Sequence, residues 1–66
     1  MRVRIARVER GLTQAELADR VAATRQTIGL IETGNYNPSL KLCLAIARAL
    51  GRTLDDLFWE DDDADG

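Results

Sequence analysis

Helix punctuation divides this chain more finely than any other feature of it. Gly11, Gly34 and Gly51 stand where a helix would stop, and Thr13, Thr24, Ser39 and Thr53 stand where the next would start. A Ser or Thr at a helix N-cap accepts a hydrogen bond from a first-turn N–H that has no partner inside the helix, while a glycine takes up the left-handed backbone that closes one. Thr13-Gln14-Ala15-Glu16 adds the reciprocal form, with Thr13 bonding forward and Glu16 reaching back. No segment alternates apolar and polar residues as a half-buried strand does. The chain is therefore predicted to be all-α, a compact bundle of five short helices. These fall at about residues 2–10, 14–21, 25–32, from 40 to the stop at 51, and from 54 to 57 or 58.

Apolar spacing assigns an inner face to each. Val3 and Ala6 point inward from the first helix, with Val8 a further candidate. Leu17, Ala18 and Val21 do so from the second, and Ile28 and Ile31 from the third. The fourth helix carries Leu40, Leu42, Cys43, Leu44, Ala45, Ile46, Ala47, Ala49 and Leu50 and reads as central, being apolar on most sides. Cys43 fits there as a small hydrophobe.

A chain of 66 residues buries a modest core, so a staple or a partner is the usual supplement. One Cys and no His leave neither an internal disulfide nor a zinc site, and nothing calls for a cofactor or metal. Regular helix packing with self-association remains. Apolar runs fall well short of a membrane span, and the N-terminus lacks the apolar stretch of a secretion signal, which points to a cytoplasmic, reduced setting.

Charge is unevenly distributed. Residues 1–53 hold all nine Lys and Arg against four acids, whereas residues 54–66 hold seven acids and no base. The net charge of −2 thus conceals a basic body suited to a polyanion, followed by an acidic end. Residues 1–60 are read as one domain and 61–66 as a disordered acidic tail with nothing to bury. An enzyme is hard to sustain: there is no His, no nucleophile–base spacing and no glycine-rich phosphate loop.

The stretch from Gln14 to Glu32 carries the function. Two short helices are joined by a tight turn, with small Ala18 at their crossing and Leu17, Val21, Ala23, Ile28 and Ile31 as the wedge between them. That leaves Arg25, Gln26 and Gly29 on the outer side of the second of the pair, near its start. A helix so presented fits a DNA major groove. With Gly11-Leu12-Thr13-Gln14, Thr24-Arg25-Gln26-Thr27-Ile28, Ile31-Glu32, Tyr36-Asn37-Pro38-Ser39-Leu40 and Leu50-Gly51, the chain resembles the Cro and phage-repressor (XRE) family of helix-turn-helix regulators over about residues 3–58.

That resemblance implies a lambda-repressor-like DNA-binding domain. It implies base readout by Arg25, Gln26 and Gly29, and backbone contacts from Thr13, Gln14, Thr24, Thr27, Asn35, Tyr36, Asn37 and Ser39, with Gln14 also bracing Gln26. It further implies a structural pair between Arg7 and Glu32. Three positions depart from the family pattern: Ala22 stands where a left-handed glycine is usual, Gly29 where a polar reader is common, and Asn35 where Lys is common. Dimerisation is expected through Leu54, Leu57, Phe58 and Trp59, either helix to helix or as paired strands over 58–60. The expected function is sequence-specific binding of double-stranded DNA as a homodimer on a palindromic operator, as a repressor with autoregulation a candidate. The alternative is the DNA-binding antitoxin of a toxin–antitoxin pair.

Overall fold

Each hydroxyl cap closes the helix it was predicted to open. In the computed structural model, which describes residues 2–58, five helices follow in order: α1 (Val3–Glu9), α2 (Gln14–Arg20), α3 (Arg25–Glu32), α4 (Leu40–Leu50) and α5 (Leu54–Phe58). Thr13 Oγ1 accepts from the N–H of Glu16 at 3.1 Å, and Glu16 Oε1 accepts from the N–H of Thr13 at 2.8 Å. Thr24, Ser39 and Thr53 each accept at 3.1 Å from the N–H three residues on. Caps of this kind contribute about 1 kcal/mol each, which matters for helices too short to persist alone. Gly51 ends α4 at φ 66°, and a Cβ there would lie 3.3 Å from the Arg10 guanidinium, so both conformation and space favour glycine.

The core gathers Val3 and Ala6 of α1, Leu17 and Ala18 of α2 with Val21 just after it, Ile28 and Ile31 of α3, Ile46, Ala47 and Leu50 of α4, and Leu57 of α5. Helices α2 and α3 pack most closely, α4 lies against α2 and α5, and α1 bridges α3 and α5. Arg2 N–H donates to the Leu57 carbonyl at 2.8 Å, tying the start of α1 to the end of α5.

Two expectations change. Val8 is exposed on the outside of α1, because the buried arc of that helix is taken by Val3, Ala6 and Arg7. Helix α4 buries one face only, leaving Leu40 67% and Leu44 40% exposed, since a five-helix domain has no further layer to cover the other side. The expectations for Trp59 and the 61–66 tail lie outside the described residues.

Between α2 and α3 run Val21, Ala22, Ala23 and Thr24. Ala22 takes φ 57°, the left-handed region usually left to glycine. The conformation lets the N–H of Ala23 reach the carbonyl of Ala18 at 2.9 Å while Val21 stays buried and Ala23 packs on the core. Left-handed backbone costs a residue with a Cβ about 1–2 kcal/mol, and here the packing on either side offsets it. Ala22→Gly should therefore stabilise the fold by about 0.5–1 kcal/mol after the added entropy of the unfolded glycine. In thermal melts this is an upward shift of a few degrees. A lower melting temperature would mean that the Ala22 methyl contributes more than its backbone costs.

Candidate nucleic-acid interface

The exposed first turn of α3 is held from behind by a buried ion pair. Arg7 Nε donates to Glu32 Oε2 at 2.7 Å and its Nη2 to Glu32 Oε1 at 3.3 Å, while Nη1 donates to the Leu12 carbonyl at 2.7 Å. The two side chains are 11% and 3% exposed, so the pair lies inside the protein and links α1, the α1–α2 turn and the end of α3. Burying both charges is costly, but each is bonded in fork geometry, and removal of one partner strands the other.

Gln14 extends this network to the surface. Its Nε2 donates to Glu32 Oε1 at 3.1 Å, which leaves its Oε1 as the acceptor, and the Arg25 guanidinium approaches that oxygen at 3.5 Å. Gln14 therefore braces Arg25 rather than Gln26. The carboxylate fixes which end of the amide faces outward, and a cation is the stronger donor to it. Gln26 projects into solvent beside Arg25.

Two shallow grooves flank this turn. One is lined by Arg7, Leu12, Thr13, Gln14 and Arg25, the other by Thr24, Thr27, Tyr36, Ser39 and Lys41. In the second, Thr24 Oγ1 accepts from the N–H of Thr27 and donates to Thr27 Oγ1 at 3.0 Å, so the Thr27 hydroxyl proton is left to donate outward. The Ser39-capped N-terminus of α4 opens beside it, a site of partial positive charge. Asn35 is engaged locally: its N–H donates to the Leu30 carbonyl at 2.9 Å and its Nδ2 to Thr33 Oγ1 at 3.1 Å, closing the end of α3. Asn37 is exposed in the loop before α4. The chain thus brings most of its candidate contact residues to the two sides of one helical turn.

Lys41 and Leu30 were not among the residues singled out from the sequence. Lys41 follows a capping Ser at the start of α4, a signal the sequence did contain. Leu30, 37% exposed on α3, reads in a sequence as one more core residue.

At the far end of the molecule, Leu54 and Phe58 are partly buried against the core. Leu57 is 1% exposed and belongs to the monomer's interior, where α5 meets α1 and α4, so it offers nothing to a partner; Leu54 and Phe58 share its face of α5 but are only partly buried. Cys43 Sγ lies 3.9 Å from the Pro38 carbonyl, and burial pushes its thiol pKa up, so it stays protonated and packs as an apolar residue.

Two short capped helices crossed at a left-handed turn, with a polar helix start facing outward, define a helix-turn-helix unit. The helix-turn-helix family pattern matches residues 3–57. A HTH-type transcriptional regulator of Methanothermobacter thermautotrophicus is 56% identical over 62 residues, covering 92% of this chain and 90% of that protein. A HTH-type regulator of Bacillus subtilis is 41% identical over 58 residues, covering 88% of each chain. The immunity repressor protein of Bacillus phage phi105 is 44% identical over 50 residues, which span 76% of this chain and 35% of the repressor. The chain belongs to the XRE-type helix-turn-helix family of transcriptional regulators. It is a DNA-binding regulator, not an enzyme.

The ion pair yields a direct test. Glu32→Gln should lower stability by more than about 1 kcal/mol, because the Arg7 charge is left buried without its counter-charge. Urea melts of Glu32→Gln, Arg7→Met and the double variant should show a double loss smaller than the sum of the single ones. Additive losses would mean that the two side chains do not interact.

Proposed function

We propose that this protein is a repressor that binds a palindromic operator as a homodimer, with α3 in the major groove. The observation that carries the reading is the outward first turn of α3, where Arg25 and Gln26 stand exposed between two polar grooves and Arg25 meets the Arg7–Glu32–Gln14 network. An Arg bonds guanine bidentately and a Gln does so with adenine. Thr13, Gln14, Thr24, Thr27, Tyr36 and Ser39 then position the sugar–phosphate backbone on the two sides, with Lys41 adding a charge, Asn37 reaching from the loop, and Asn35 limited to the polar atoms its local bonds leave over. Repression is supported by the similarity to a phage immunity repressor.

Dimerisation follows from the geometry of DNA. Two reading helices must stand about 34–36 Å apart to enter successive grooves on one face of the duplex, and a single small domain offers only one. Leu54 and Phe58, on α5, are the proposed seam.

Competition gel shifts test base reading. Arg25→Ala and Gln26→Ala should each weaken specific binding by about 1–3 kcal/mol while leaving affinity for random duplex nearly unchanged. Equal losses on both DNAs would make these residues backbone contacts. Sedimentation tests assembly: Phe58→Asp should give folded monomers with weak operator binding. If it still sediments as a dimer and Leu44→Lys does not, the seam lies on the exposed face of α4 instead.

A further inference from the structure

A glycine inside a helix requires a reason, and the protein itself supplies none for Gly29. It sits mid-way along α3 with ordinary helical backbone, where glycine costs about 1 kcal/mol relative to alanine. A Cβ at this position would meet only the Gln14 amide, at 3.8 and 3.9 Å, which is ordinary contact distance. Neither conformation nor internal crowding excludes a methyl group. The space kept empty by Gly29 is on the outside of α3.

Leu30 is the neighbouring anomaly. It lies four residues after Gln26, hence about 6 Å further along the same outer face, while Ile28, Ile31 and Glu32 hold the inner one. Its backbone is fixed by two bonds to its carbonyl, from the N–H of Asn35 at 2.9 Å and from Thr33 Oγ1 at 3.1 Å. A single exposed leucine on a protein surface is commonplace. This one occupies the second turn of the helix whose first turn carries Arg25 and Gln26, beside a position with no side chain at all. It is therefore the side chain that the second turn offers to a groove.

We propose that Gly29 and Leu30 form one thymine-reading element: the glycine lets α3 seat close against the groove, and Leu30 packs on the 5-methyl group of a thymine within about two base pairs of the base read by Gln26. The methyl group is the largest apolar feature of a base edge in the major groove, so an apolar side chain held there discriminates by desolvation rather than by hydrogen bonding. This rests on the placement of α3 in the major groove proposed above.

The probe is the tightest-binding 20-base-pair duplex recovered from a randomised pool, with each thymine replaced in turn by uracil, which lacks only the methyl group. At one thymine per half-site, uracil should weaken the wild-type protein about fourfold, the effect of one methyl group lost from an apolar contact. Leu30→Ala should be insensitive to that replacement while keeping its preference at the position read by Arg25. Gly29→Ala should raise the melting temperature and yet weaken specific binding by about tenfold. Equal responses of wild type and Leu30→Ala to every uracil would overturn the Leu30 contact, and undiminished binding by Gly29→Ala would overturn the close approach. A pool that yields no preferred duplex would overturn the reading of α3 itself, a distinguishable failure.

Discussion

Arg7 carries a charge from α1 into the core, and the orientation of α3 depends on where that charge is met. Its guanidinium bonds a carbonyl in the α1–α2 turn and both oxygens of Glu32 at the end of α3, so three parts of the chain are registered by a single planar group. A hydrophobic contact at that place would hold the helices together and leave them free to rotate. The fork geometry of the pair removes that freedom. Glu32 then passes the constraint outward, since its Oε1 fixes Gln14 and Gln14 faces Arg25. A buried charge thereby becomes a positional device for an exposed one.

The second constraint is the turn before α3. Ala22 holds a left-handed backbone without being glycine, which is possible because Val21 and Ala23 on either side are anchored in the core. The capping threonine that follows starts α3 at a fixed residue, so Arg25 and Gln26 fall in its first turn and not elsewhere. Strain at Ala22 and the placement of Arg25 in the first turn of α3 belong to one short segment. Gly29 runs the other way, giving up helix stability where the protein has no need of it and leaving the outer surface of α3 low.

Much of this architecture was legible because it is local. A hydroxyl three residues before an N–H it can reach, or a glycine after the last apolar turn, acts over four or five residues, and helices α2 to α5 begin where those hydroxyls stand. The inner faces of α2 and α3 followed from spacing for the same reason. Val8 and the outer leucines of α4 did not, because apolar character marks what a residue can bury and not whether another element is there to bury it. Leu57 was assigned to a seam between chains and lies in the core instead, since a five-residue helix has too little periodicity to say which arc faces inward.

The sequence by itself determined the helices, their caps, the tight turn and the residue types on the outside of α3, all of which depend on neighbours along the chain. Resemblance to a known family supplied the pairing of Arg7 with Glu32, which composition and spacing alone leave as one of many. Tertiary structure decided which end of Gln14 faces out and that it meets Arg25, because both depend on a carboxylate eighteen residues away. It also decided that Leu30 is presented and that nothing inside the protein requires Gly29. Exposure and empty space are properties of an assembled surface, and they come into being only when the helices have closed on one another.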